Sequence, residues 1–221
     1  AVISGKKLVL IGRRTKDQMR VVIKASTNPD GQAEIHHEQQ CRAVLDNIQF
    51  AYNVFVTPEQ LEWCEEQGCL ISITPFLDQP CSFLARPLQE QFFLALNAFE
   101  TQESAHATTF EHDRMIRHTF GKFDTETYLR TFATYRAYIK THLPPSAATD
   151  DLLTQVGAFL QQHQERITQY NGFLTHTDFV PHNIRIVDRA IYLLDHSAIR
   201  FGNKYDGWAR FLNFMLLYHR D

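Results

Sequence analysis

The chain has 221 residues, 44% of them hydrophobic, which is enough for one large domain or for two lobes sharing a cleft. A formal net charge of −3 gives no basis for general affinity toward nucleic acid or an acidic membrane, and no apolar run reaches the roughly 18 to 20 residues that span a bilayer. Four cysteines (Cys41, Cys64, Cys69 and Cys81) follow no disulfide or zinc pattern and no charged leader precedes an apolar stretch, so the expected setting is cytoplasmic, with reduced thiols.

In chain order, the first quarter reads as β-rich. "KKLVLIGRR" and "QMRVVIKAS" are apolar runs joined by the polar "TKD", a hairpin pattern, and "TNPDG" ends the second run at Pro29 and Gly31. From Gln32 to about Asn47, Ile35, Cys41, Val44 and Leu45 share a helical face, which leaves His36 and His37 on the solvated side. "LEWC", the turn "EEQG" and "CLISITPFL" make a second hairpin. Past "LDQP" the spacing becomes helical, from Pro87 to about Phe110 and from Asp124 to about His142. Asp124 is the expected N-cap of the latter helix, with Tyr128, Phe132, Tyr135 and Ile139 as its stripe. After "LPPSAATDD", the apolar positions from Leu152 through Phe159 to Ile167 predict one amphipathic helix closed by Asn171 and Gly172. Two short apolar runs follow, "IRIV" and "IYLLD", joined by "DRA" as a hairpin, and Trp208, Phe211, Leu212 and Met215 open a last helix. The order predicts an α+β chain: a small β-rich lobe over residues 1–77, a connector near residues 74–80, and a helical lobe over 78–221 carrying one hairpin. Two lobes imply a cleft, and clefts bind ligands.

The chemistry gathers around that hairpin, in "FLTHTDFVPHNIRIVDRAIYLLDHSAIRFG". Strand pairing brings Asn183, before the first strand, beside Asp195, after the second. Two oxygen-bearing side chains at one edge of a rigid hairpin suit Mg²⁺, which takes hard oxygens and keeps waters and substrate phosphates as its other ligands. Asp178, on the loop just upstream, is then placed to accept a proton from an incoming hydroxyl.

This arrangement resembles the aminoglycoside phosphotransferase family, the small-molecule branch of the two-lobe protein-kinase-like fold. "HTDFVPHN" resembles its H-x-D-x-x-x-x-N catalytic loop, and "YLLDHSAIRFGNKYDGWARF" its second block, an apolar strand ending in a metal-binding Asp. The resemblance implies that Asp178 is the catalytic base and that Asn183 and Asp195 bind Mg²⁺. It further implies that His176 braces the loop and that Asp206 ties the loop backbone to the last helix. In the first lobe it makes Lys24 of "RVVIKAS" the lysine on the ATP α- and β-phosphates, with Glu38 as its partner. Ser4 and Gly5 stand at the tip of the phosphate-covering turn, and the backbone from Thr74 through Phe76 to Leu77 meets the adenine. The implied reaction moves the γ-phosphoryl group of ATP, or alternatively GTP, to the hydroxyl of a small molecule such as an antibiotic, a choline-like alcohol, a sugar or an amino alcohol.

The sequence also departs from the family. It starts inside the glycine-rich region, so the first strand is expected to be cut short, and it stops at Asp221, before helices that shape the acceptor pocket. Thr177 stands where Gly is common, and His196 follows the metal Asp where a large apolar residue is usual. His182 and His196 are expected as bystanders at the cleft rim or as substrate contacts. Only ten residues separate Asp195 from Asp206, too few for the activation segment of a protein-substrate kinase. Two other readings stay open: a nucleotide-binding pseudokinase, and a protein whose hairpin carboxylates are structural.

Overall fold

The computed structural model describes residues 2–48, 56–109, 111–187 and 190–219. Its first part is a five-stranded antiparallel sheet: β1 (Val2–Ser4), β2 (Lys7–Arg13), β3 (Arg20–Ser26), β4 (Glu62–Glu66) and β5 (Cys69–Pro75), in the order β1-β2-β3-β5-β4. Each tight turn has its local cause. Gly5 takes φ +60° between Ser4 and its partner Lys7, and Gln67 and Gly68 both take positive φ between Glu66 and Cys69, the two-residue geometry that matches strand twist.

One helix crosses this sheet. α1 runs Pro29–Asn47, three residues earlier than the sequence spacing predicts. Pro29 does not break the chain there, because at the first helical position its missing N–H is unneeded and its fixed φ is already helical. Asn28 caps the start, accepting from the amides of Asp30 and Gly31 at 3.0 and 3.4 Å.

The helical part contains α2 (Leu88–Thr109), α3 (Asp113–Phe120), α4 (Thr125–His142), α5 (Ala147–Gln162), α6 (Gln164–Gln169) and α7 (Asp206–Tyr218). Between and after these lie β6 (Lys122–Phe123), β7 (Asn171–His176), β8 (Ile184–Val187), β9 (Ala190–Leu193) and β10 (Ile199–Asn203). Asp124 caps α4 as its sequence position predicts, accepting from Thr127 N at 3.1 Å. Its stripe is a weaker match, since Tyr135 is 63% exposed and α4 buries no residue fully. The single helix expected over residues 152–167 breaks at His163 into α5 and α6, and Asn171 and Gly172 begin β7 instead of closing a helix. A three-stranded sheet, β6-β10-β7, was not legible in the sequence; its strands are short and pair only across long separations. β8 and β9 form the expected hairpin, Ile184 opposite Leu193 and Val187 opposite Ala190, and its turn residues Asp188 and Arg189 lie outside the described residues.

Two apolar cores fix the parts. The first joins Cys41, Leu45 and Ile48 of α1 and its end to Ile116 and Phe120 of α3 and to Leu174, Ile199 and Phe201 of the small sheet. The second seats the β8–β9 hairpin, through Ile184, Ile186 and Leu193, on Phe83, Ala98, Phe179 and Phe211. Each buried Leu, Ile or Phe among these contributes about 1.5–3 kcal/mol relative to exposure. The helix that carries Glu38 and the hairpin that carries Asn183 are therefore both locked in place by packing.

Candidate active site

Lys24 sits in mid-strand on β3, opposite Ser72 of β5, and points to α1. Its Nζ donates to both oxygens of Glu38, at 2.7 and 2.6 Å. Arg42, one helical turn beyond Glu38, donates to the same carboxylate from Nη2 at 3.0 Å. Glu38 is 4% exposed. Burial alone would raise its carboxyl, but the charges of Lys24 and Arg42 outweigh that and hold it down at about 2. A carboxylate buried between two cations is a preorganised support for a lysine; the second cation was not anticipated from sequence, though its i, i+4 spacing was there to be seen.

The same lysine lines a cleft enclosing about 500 Å³ of space, its open mouth included. Val22, Thr74, Pro75, Phe76 and Leu77 wall it on the sheet side, and Leu194 and Asp195 on the hairpin side. The enclosed part is about 110 Å³, smaller than the usual small-molecule site. Phe76 is fixed by its amide bond to Arg20 O (2.9 Å) and by the Arg20 guanidinium 4.0 Å above its ring. Gly5 makes the turn at the sheet edge between Ser4 and Lys7.

Across the cleft, the loop and hairpin bring Asp178, Asn183 and Asp195 to one edge. Asn183 O accepts from Leu194 N at 2.8 Å, which sets Asn183 and Asp195 at the same end of the β8–β9 ribbon. Asn183 Nδ2 donates to Asp178 O at 2.9 Å and to Asp178 Oδ2 at 3.0 Å, so the amide oxygen is the end of Asn183 left for another ligand. Asp195 has a left-handed backbone, φ 56° and ψ 57°, uncommon for a non-glycine residue and typical of positions under functional constraint. His176 holds it there. Buried and with its pKa lowered by that burial, His176 is neutral, and because both neighbours of Nε2 are carbonyls, Leu194 O at 3.0 Å and Asp195 O at 3.1 Å, Nε2 carries the proton. Ser197 Oγ donates to Asp195 Oδ1 at 2.6 Å and orients the carboxylate.

Sequence comparison yields no match, either to a protein-family model or to a curated protein. Comparison of structures does. A thermostable mutant of aminoglycoside phosphotransferase APH(4)-Ia superposes with a TM-score of 0.60 over 97% of this chain and 79% of that one, at 15% identity. The GDP complex of wild-type aminoglycoside 2'-phosphotransferase-IIIa gives a TM-score of 0.66 over 100% of this chain and 78% of that one, at 13% identity. An amicoumacin kinase in complex with AMP-PNP and Ca²⁺ gives 0.61 over 99% and 64%, at 14% identity. The chain has the protein-kinase-like fold of the aminoglycoside phosphotransferases.

Within this kinase-like fold, several residues sit otherwise than their sequence positions suggest. His196, expected at the cleft rim as a bystander or a substrate contact, is 0% exposed, with no hydrogen-bond partner on either ring nitrogen among the described residues, and burial, helped by nearby Arg42, pushes it down to about 3. It packs inward because the left-handed turn at Asp195 directs the 196–198 segment onto α1. His37, expected on the solvated face of α1, is half-buried, with its Nε2 3.4 Å from Arg200 Nη1. Asp206 is bonded by Tyr128 of α4, a different partner from the loop backbone, and its carboxyl is raised mainly by burial. Arg210, which the sequence did not single out, donates from Nε and Nη2 to Asp178 Oδ1 at 3.1 and 3.0 Å. Its signal was the i+4 step from Asp206 on α7, which turns it toward the loop.

Proposed function

We propose that the protein is an ATP-dependent phosphotransferase that moves the γ-phosphoryl group to a hydroxyl of a small molecule. The observation that carries this reading is a lysine paired with a buried glutamate in a cleft that an apolar hinge segment and Asp195 also line, with Asp178 hydrogen-bonded to Asn183 at the same end of the β8–β9 hairpin. Lys24 would hold the nucleotide phosphates, and the Thr74–Leu77 backbone the base. Asn183, through its free amide oxygen, and Asp195, through its carboxylate, fit Mg²⁺, which when bound would offset phosphate charge. Asp178 would orient the acceptor hydroxyl and take its proton as the new O–P bond forms; the bond from γ-phosphorus to the β,γ-bridging oxygen breaks, and ADP leaves with that oxygen. GTP is the alternative donor, since the structural neighbours include GDP complexes.

A second reading, nucleotide binding without turnover, has one observation in its favour: the Arg210 contact occupies one oxygen of the assigned base. Thermal shift with Mg-ATP and an ATP-consumption screen over hydroxylated compounds separate the two. Both should respond if the enzyme reading holds; a rise in Tm with no consumption favours the second, and neither response sinks both. Asp195→Asn should abolish the Mg²⁺-dependent part of the thermal shift, and an unchanged shift would remove Asp195 from the metal site.

A further inference from the structure

The carboxylate of Asp178 has roughly four lone-pair positions to offer. Arg210 approaches with two N–H groups, and both bond Oδ1, at 3.1 and 3.0 Å; Asn183 takes a position on Oδ2 at 3.0 Å. A hydroxyl that gives up its proton here finds one free position on Oδ2 and none on Oδ1. The clamp is also easily moved, because the two side chains are 50% and 40% exposed and a pair that open to water contributes little net stability. An anion carried by the acceptor could take the guanidinium fork in place of Oδ1 and so free the base as it binds. The surface beside Asp178 matches such a ligand. Arg210, Phe214 and Tyr218 step along one face of α7 at four-residue intervals, and His182 sets its ring against Phe214 at 5.2 Å. Asp206, one turn before Arg210 on that face, is mostly buried and bonded by Tyr128. The stretch from Arg210 to Tyr218 therefore offers a cation and an aromatic edge, which favour an anionic acceptor over a polycation whose amines would meet the arginine as like charges.

We propose that Arg210 is the acceptor-selecting residue: it clamps Asp178 in the free protein and binds the anionic group, carboxylate or phosphate, of a small hydroxyl acceptor. This rests on the phosphotransferase reading for its catalytic consequence, but the anion site itself is tested apart from turnover. In the first experiment, inorganic phosphate, glycerate, glycerol 3-phosphate, glycerol and choline are each titrated into ¹⁵N-labelled protein while the Arg210 Nε–H resonance is followed by NMR. That resonance is assigned by its loss in Arg210→Ala. The expected result is a saturating shift with the anionic probes, carboxylate and phosphate arms compared directly, and none with glycerol or choline. No shift with any anion, or equal shifts with glycerol or choline, overturns the proposal. The second experiment measures ATP consumption with the same hydroxyl probes. Arg210→Ala should raise KM for the anionic acceptor about tenfold or more and leave KM for Mg-ATP and for glycerol near wild type, with partial recovery in Arg210→Lys. A raised KM for Mg-ATP instead would put Arg210 on the nucleotide and overturn the assignment. Loss of all Mg²⁺-dependent nucleotide binding in the wild type would sink the phosphotransferase reading, while the NMR titration still decides the anion site.

Discussion

At the residue scale the site is a set of groups held in one protonation state or one orientation by neighbours. Asp178→Asn keeps the size of the side chain and removes the proposed proton acceptor. It should lower turnover about 10²–10⁴-fold with Mg-ATP affinity unchanged in a thermal-shift titration. Wild-type turnover in that variant would reassign the base. Glu38→Gln is expected to act differently, because it leaves Lys24 and Arg42 partly buried without a counter-charge. Breaking such a buried pair costs about 3 kcal/mol or more, a Tm drop of roughly 6–12 °C for a chain of this size, and nucleotide affinity should fall with it. These residues were legible because each stands at a fixed offset from an apolar strand. Arg42, Arg210 and His196 were not, since an arginine on a helix or a histidine in a turn is usually solvated.

At the element scale, α1 is the part whose placement decides whether Glu38 reaches Lys24. Its N-terminus lies against the sheet so closely that a Cβ on Gly31 would collide with Ser26 Oγ and the Lys6 carbonyl oxygen. Gly31→Ala should therefore shift the helix and lower stability by about 1–3 kcal/mol, with weaker Mg-ATP binding through the displaced ion pair. Asn28→Ala removes only the cap and should cost about 1 kcal/mol, read as a small drop in urea midpoint, with nucleotide affinity kept. Equal losses of affinity in the two variants would show that α1 position is not what couples them. Strand and helix types followed from periodicity, while boundaries went wrong where one residue had two uses. Pro29 and Gly31 read as breakers and serve as a helix start, and Asn171 and Gly172 read as a helix end and serve as a strand start.

At the scale of the molecule, one core joins α1 to α3 and the small sheet, and α1 also packs on β3, which bears Lys24, and on the 196–198 segment that follows Asp195. The interior also contains neutral histidines. His196 is pushed down to about 3 and His106 to about 4, chiefly by burial. An unfolded histidine takes up a proton below about pH 6.5 and these folded ones do not, so their contribution is complete above that pH and is lost as pH falls toward 4. At pH 5 the loss is about 2 kcal/mol for each. Glu38, held down to about 2, adds a further loss between about pH 4.5 and 2. Tm should accordingly fall between pH 7 and pH 5, and His196→Leu should flatten that fall without lowering Tm at pH 7, because it replaces a buried imidazole that has no hydrogen-bond partner among the described residues. An identical pH profile in the variant would show that His196 takes up its proton in the folded state.

The sequence by itself determined the local order: an apolar strand bearing Lys24, a hairpin with Asn183 before its first strand and Asp195 after its second, a helix bearing Glu38, and a loop bearing Asp178. Alternation, helical spacing and turn residues act over a few positions and can be read there. Only the tertiary structure decided what those groups meet. The 58-residue reach from Arg20 to Asp78, the 32-residue reach from Asp178 to Arg210 and the burial of His196 under α1 are contacts between distant stretches. Such contacts depend on how the two cores close, and no short-range pattern encodes that.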